Sequence, residues 1–259
     1  MLVPQAFADV VASTPIELDR GCLTIAGELR SEPVDMSQQL DRLDQMAAAM
    51  PEPTLDGLTR LLFDDLGFQG DTDDYYDPRN SYLDVVLDRR RGIPISLSVL
   101  CIEVGRRSGV PLVGIGLPGH FLVRDQVDQS LYLDPFRRGT RLTLAQCQTL
   151  FTRLHGADAV FEPAMVDPVG AVEILTRVLV NLRMVFMSVG DRSRLARVLG
   201  MLCGIPGVAP GLVRDASNLL TSIGRFDQAA HAADLLVVIE PDHADEHEAR
   251  ALRLRARMN

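Results

Sequence analysis

The sequence predicts an α+β protein, with helices toward both ends and a middle stretch of short strands next to one thoroughly apolar helix. Three observations carry that prediction. From Met36 to Leu66 apolar residues recur at helical spacing. Between Val110 and Asp134 the runs are short, β-branched or apolar, and punctuated by Gly and Pro. After Val169 the pattern is helical as far as Arg257. The chain has 259 residues, 47% hydrophobic and 24% charged, enough to bury a proper core in one large or two modest domains.

Taken in order, the first twenty to thirty residues give no firm pattern. Met36 to Met50 places Met36, Leu40, Leu43 and Met46 on one face of a helix that Pro51 ends. Thr54 caps a second helix, which runs to Leu66 and stops at Gly67. Asp71 to Asp77 is acidic and contains Tyr75 and Tyr76; it lacks the D-x-D-x-D-G order of a calcium loop and reads as a plain surface connection. A helix resumes from Asn80 to Asp88. Pro94 then suits the first turn of another, because its fixed φ fits a helix and its missing N–H would have been unpaired there.

From Ile95 to Ser108, Ile95, Leu97, Val99, Leu100, Ile102 and Val104 cover most of the helix circumference, which predicts burial on several sides until Gly109 and Pro111 stop it. Val110 to Leu117 and Phe121 to Arg124 read as strands joined at Pro118-Gly119. Thr143 caps a further short helix. Pro163 to Pro168 marks a junction, dividing residues 1–165 from an all-helical region over 166–259. That region resolves into helices over Val169–Val189, Asp191–Leu202, Arg214–Ile223, Phe226–Ile239 and Asp242–Arg257.

Composition narrows the function classes. The net charge of −9 argues against nucleic acid as a partner, because phosphate binding needs accumulated positive charge. No run of eighteen apolar residues is present, so no membrane span is expected. The first twenty residues, with Asp9 and Glu17 and no basic residue before Arg20, do not resemble a secretion signal, which makes the cytoplasm the expectation. Cys22, Cys101, Cys147 and Cys203 are far apart and form no C-x-x-C pair. His243 and His247, four apart among Asp242, Asp245 and Glu246, lack a third ligand, and the acidic first turn of a solvent-facing helix explains them; no metal or cofactor is expected.

Three segments in order carry a resemblance: Gly92-Ile93-Pro94-Ile95-Ser96-Leu97-Ser98 running to Gly109-Val110-Pro111, then Pro118-Gly119-His120-Phe121-Leu122-Val123, then Leu131-Tyr132-Leu133-Asp134-Pro135. They resemble the transglutaminase-like superfamily. With the run Asn80 to Arg91 leading in, the chain is similar to the bacterial SirB-type family, which joins a transglutaminase-like core to tetratricopeptide-like helices. The order Gly224, Phe226, Ala229, Ala233, Pro241 looks like part of such a helical unit. The resemblance covers roughly Asn80 to Thr140. It implies a transglutaminase/papain-like core, a central helix packed on a small antiparallel sheet.

In that family a cysteine at the helix start attacks, a histidine takes its proton and an aspartate orients the histidine. The resemblance assigns the last two roles to His120 and Asp134, and puts Pro94 at the nucleophile position. Cys101 is the alternative nucleophile. Seven residues of helix bring it back to the same face as Pro94, but about 10 Å further along the axis, and between Leu100 and Ile102 it also reads as a buried apolar residue. Asn80, Arg90, Arg91, Pro94, Ser96 and Gly119 are the candidate binding residues of the cleft. Arg89-Arg90-Arg91 either receives an anionic partner there or forms an exposed turn paired with Asp84 and Asp88.

Three functional readings follow. The first is a non-catalytic module that binds a protein or peptide through its cleft and helical tail. The second is a cysteine-dependent hydrolase or acyl transferase using Cys101, His120 and Asp134. The third is a His120–Asp134 general-base pair acting without a protein nucleophile.

Overall fold

The structure, a computed structural model, describes residues 1–258. The chain opens with α1 (Gln5–Ala12) and α2 (Leu18–Leu29), neither of which was legible in the sequence. Next come α3 (Met36–Ala48), capped by the Asp35 carboxylate on the Gln38 amide, and α4 (Leu55–Thr59), capped by the Thr54 hydroxyl on the Gly57 amide. The helix that starts at Thr54 does not stay α-helical. Arg60–Asp65 widens to π-helical pitch, closed by a Leu66 amide to Leu61 carbonyl bond, and the wider turn brings three consecutive apolar residues, Leu61, Leu62 and Phe63, inward together.

β1 (Gln69–Gly70) pairs in parallel with β2 (Arg91–Gly92). Between them lie a 3₁₀ turn, Pro78–Ser81, and α5 (Leu83–Arg89). The single helix expected from Asn80 is therefore broken at Tyr82, which is extended. The Asn80 carbonyl is committed elsewhere, accepting from the Ile93 amide (3.3 Å) and from the Ser96 hydroxyl (2.6 Å). α5 ends at Arg90 in the left-handed region, with φ of 57°.

α6 (Pro94–Ser108) begins at the expected proline, and every residue from Pro94 to Gly105 is buried. Behind it comes a five-stranded antiparallel sheet in the order β6-β5-β4-β3-β7, formed by β3 (Leu112–Ile115), β4 (Leu122–Asp125), β5 (Tyr132–Asp134), β6 (Thr140–Leu142) and β7 (Pro168–Val169). Its register sets Gly114 opposite Val123, and Val123 opposite Leu133. α7 (Leu144–His155) starts on a reciprocal cap between Thr143 and Gln146. It buries Cys147, Leu150 and Phe151 against Ile115, Leu117, Leu122 and Tyr132. The helices α8 (Ala171–Ser188), α9 (Arg192–Cys203), α10 (Pro210–Ser222), α11 (Phe226–Ile239) and α12 (Ala244–Ala256) complete the chain, which makes it α+β with a helical C-terminal region. Among the described residues no helix is long and apolar enough to cross a membrane.

The chain forms two compact units. One holds residues 18–26 and 32–178, and its interior is α6 with the residues around it. The other holds residues 1–17, 27–31 and those from Leu179 onward. Residues 1–17, which the sequence grouped with the strands, thus belong to the unit of the C-terminal helices. In that unit Ala229, Ala230, Ala232 and Ala233 are buried on α11, small enough for its neighbours to approach closely.

A buried ionic knot anchors α6 in the first unit. Arg107 donates to Asp19 (2.5 Å), Asp44 (2.6 Å) and Glu103 (2.6 Å), so one guanidinium ties α6 to α2 and α3. Burial and the neighbouring Asp19 charge push the Glu103 carboxyl above its ordinary value, against the pull of Arg106 and Arg107.

At the other end of α6, Ser96 accepts from the Ile93 amide (3.1 Å) while donating to the Asn80 carbonyl. Ser96→Ala removes the hydroxyl that bridges the Ile93 amide and the Asn80 carbonyl and leaves only their direct 3.3 Å bond, so a loss of about 0.5–1.5 kcal/mol is expected in urea unfolding; an unchanged midpoint would show that the direct bond suffices.

Candidate functional site

The site is built where the connection after β3, the end of β5 and the acidic loop before α5 come together. Pro118-Gly119 turns the chain between β3 and β4, Gly119 having φ of 74°, and the turn places His120 at the entrance of β4. His120 Nε2 lies 2.9 Å from Asp134 Oδ1 at the end of β5. The ring is 8% exposed and the carboxylate not at all. A carboxylate facing Nε2 fixes the proton of a neutral imidazole on that nitrogen. Nδ1 is then the basic one, and among the described residues it has no hydrogen-bond partner. The other carboxylate oxygen, Asp134 Oδ2, is buried without a hydrogen bond; Arg137 Nε stands 3.7 Å from it, at ion-pair range.

Phe136, one residue beyond Asp134-Pro135, meets His120 edge to face with ring centroids 6.1 Å apart. Its position is fixed by Gly70: a Cβ there would stand 2.5 Å from the Phe136 ring, so only glycine lets β1 pass under it. Phe136 in turn meets Tyr75 at 5.9 Å, and Tyr75 meets Tyr76 at 5.3 Å. An aromatic run therefore leads from the histidine to the surface, where Tyr76 is 63% exposed. Burial, then the adjacent Tyr76, pushes the Tyr75 phenol above its ordinary value, while Arg177 pulls the other way.

The acidic loop that presents these tyrosines is not the plain surface connection the sequence suggested. Asp71 and Asp77 are buried. Asp71 accepts from the amides of Asp73 and Asp74 and from Arg89 (3.1 Å), and Arg89 also donates to Asn80 Oδ1 (2.9 Å). Asp77 accepts from the Arg79 amide (2.9 Å) and from its guanidinium (2.7 Å). Asn80 closes the loop by donating to the Asp74 carbonyl (2.8 Å). Pairing of the arginine cluster with Asp88 is likewise replaced: Asp88 pairs with Arg42, while Arg91 pairs with Asp73 (3.0 Å). Burial alone would raise both carboxyls, but these bonds more than offset it and hold Asp71 and Asp77 below the usual 3.8.

The other candidate residues fall in two groups. Asn80 and Ser96 are buried and tie the loop to the start of α6; Pro94 is the buried first residue of that helix. Arg90 is exposed at the left-handed end of α5, Arg91 is half-buried in the acidic loop's ion pairs, and Gly119 is in the turn before His120, 3.0 Å in Cβ terms from the His155 ring, which bonds the Pro118 carbonyl.

Cys101 makes no hydrogen bond with His120. The thiol is buried on α6, makes no hydrogen bond among the described residues, and is pushed far above its ordinary value by desolvation alone. The cysteine that feels the pair is Cys147 on α7: burial first, then the Asp134 charge, pushes its thiol up to about 11. Sequence spacing along one helix pointed to Cys101; nothing in the spacing from Asp134 to Cys147 signalled the second. His247 is buried and bonds Glu240 (3.1 Å), so it is not the solvent-facing residue expected, and no group of three metal-ligating side chains occurs among the described residues.

A family model of the transglutaminase-like superfamily matches residues 24–180. A UPF0162 protein of Xylella fastidiosa is 39% identical over 171 residues, which are 64% of this chain and 61% of that protein, so the match spans about three fifths of the relative's length. A UPF0162 protein of Pseudomonas aeruginosa is 35% identical over 196 residues, 72% of this chain and 71% of that one. F-box only protein 21 of Mus musculus is 32% identical over 197 residues, 72% of this chain and 30% of the mouse protein. No solved structure matches. With the histidine at the start of one strand, the aspartate at the end of the next and the buried helix before them, all inside the matched residues, the chain belongs to the transglutaminase-like superfamily, within its UPF0162 group.

Proposed function

We propose that this protein is a binding member of its superfamily, which holds a protein or peptide segment at the cleft around His120 and Asp134, with further contacts from the helical C-terminal region, and forms no covalent intermediate. The motivation is Pro94 at the nucleophile position of the resemblance together with the tetratricopeptide-like helices of the C-terminal region. One observation carries the reading. An aromatic run from Phe136 through Tyr75 to Tyr76 leads to a His–Asp pair that has no thiol in hydrogen-bond contact. Aromatic side chains give a peptide large, rigid contact area at low entropy cost, and the open Nδ1 of His120 offers it one hydrogen-bonding position.

A second reading has its own support. A histidine oriented by a fully buried carboxylate, with Nδ1 open, is the arrangement of a general base acting on water or on a substrate hydroxyl. The two readings separate on a simple assay: a general base hydrolyses an activated ester faster than His120→Ala does, whereas a binding cleft shows no His120-dependent turnover.

The absence of a covalent step is tested by alkylating the native protein and locating the label by mass spectrometry. All four thiols are buried with raised pKa, Cys147 to about 11 and Cys203 to about 12, so thiolate is scarce at neutral pH and labelling is expected only after unfolding. Rapid labelling of Cys101 or Cys147 that disappears in His120→Ala would overturn the binding reading.

The contact surface is tested with peptides selected from a random display library on the wild-type protein. Tyr76→Ala, which removes an exposed ring and leaves the fold's interior untouched, is expected to weaken them by about tenfold, or ~1.4 kcal/mol. Wild-type affinity in both Tyr76→Ala and His120→Ala would place the peptides elsewhere.

A further inference from the structure

The unit of C-terminal helices holds a cavity of about 110 Å³ among α10, α11 and α12, with Leu236 forming its apolar wall and Arg214, Asn218, Glu246, His247, Arg250 and Arg253 the rest. Its three arginines are in different states. Arg214 is neutralised, reaching both oxygens of Glu240 at 2.6 and 2.5 Å, and Glu240 also bonds His247. Arg253 has no ion pair among the described residues.

Arg250 is the informative one. Glu246 stands one helical turn before it, the usual partner for an arginine on a helix surface. Arg250 turns away from that carboxylate. It donates through Nε to Ser217 Oγ (3.1 Å) and through a terminal nitrogen to Asn218 Oδ1 (2.7 Å), both neutral. Ser217 is wholly buried and itself donates to the Ala229 carbonyl, so the guanidinium is held by a fixed anchor rather than by a mobile surface group. In a chain with 35 acidic residues, a cation fixed by neutral groups beside a second cation without an ion pair leaves uncompensated positive charge at the cavity.

We infer that this cavity binds a carboxylate group, supplied by an acidic side chain or chain end of a peptide. A planar guanidinium held at one edge keeps its remaining N–H donors in a fork that matches two carboxylate oxygens. Arg253 adds charge, and Glu246 opposes it from the cavity wall, which sets the affinity low for an isolated carboxylate. The inference rests on the reading that the helical region contacts a partner, yet it concerns residues that the His120 cleft does not use.

The experiment is an NMR titration of the full chain at low ionic strength, following arginine Nε–Hε signals, with succinate and separately with inorganic phosphate. Succinate is expected to shift the Arg250 signal saturably. Arg253→Gln, an exposed and unpaired position, is expected to weaken binding at least about fivefold, and Glu246→Gln to strengthen it, since a repelling charge has gone. His120→Ala is expected to leave the titration unchanged, so failure of the cleft reading and failure of this one are distinguishable. No saturable shift, equal affinity in Arg253→Gln, or tighter binding of phosphate than of succinate would each overturn the assignment.

Discussion

Everything in the strand-bearing unit depends on burying α6 from its first residue. A helix that ends inside a protein has amides that water cannot reach, and leaving them unpaired costs about 1–3 kcal/mol each. Here proline removes one such amide outright, and Ser96 folds back to accept from Ile93. The same hydroxyl donates to the Asn80 carbonyl, so the start of the helix is locked to the segment that breaks before α5. Asn80 then passes the constraint on, through its side chain to Asp74 and Arg89. The acidic loop, the placement of Tyr75 and the position of Gly70 under Phe136 are all consequences of closing one buried helix end.

The His120–Asp134 pair is held in a different way. Asp134 is wholly buried at the end of β5 and is satisfied by one ring nitrogen at one oxygen, with a distant arginine near the other. A buried carboxylate with an unbonded oxygen is costly. The sheet register sets Asp134 opposite Thr140, just before a 3₁₀ turn, and the His120 ring and the Arg137 guanidinium offset part of that cost. Its charge reaches Cys147 on α7 and makes a thiolate there still less favourable. A carboxylate charge that raises the Cys147 thiol is the opposite of what a cysteine nucleophile needs, since cysteine enzymes place positive charge or a helix N-terminus against the sulfur. The pair holds the imidazole in one orientation, with Nδ1 turned away from the carboxylate, which suits both hydrogen bonding to a bound chain and general-base work.

How much of this was legible follows from which forces are local. Pro94 as a helix start, Thr54 and Thr143 as caps, Gly109 as a stop and the all-round apolar helix between were visible because each is a property of a few consecutive residues. His120 and Asp134 were visible through the motifs around them, although no spacing rule gives their 2.9 Å contact. Three things were not visible. α1 and α2 are as amphipathic as helices that were visible, but α1 starts without a side-chain cap and α2 carries Gly21 and Gly27 in its interior. The widened turn over Arg60–Asp65 is a tertiary choice, made to bury three successive apolar side chains. The acidic loop looked exposed because Asp71 and Asp77 are charged; their burial depends on Arg89, eighteen and twelve positions away, and only the folded chain brings it there. The signal that was available, an Asp-rich loop followed closely by three arginines, fits a buried ion network as well as a solvated turn.

The arginines give the last step. All 26 basic residues are arginine, and the net charge is negative, so most guanidiniums find a carboxylate and act as structural crosslinks. Arg107 shows the extreme, with three acidic partners at one end of α6. Against that background, the information lies in where pairing fails. Arg250 passes over the acid on its own helix for two neutral groups, one of them buried. A surface designed only for solubility has no reason to fix a guanidinium that way, because a neutral anchor adds orientation while leaving the charge uncompensated. Orientation without compensation is useful when the compensating charge arrives from outside, and a cavity too small for a side-chain cluster but roomy enough for a carboxylate is where it would arrive.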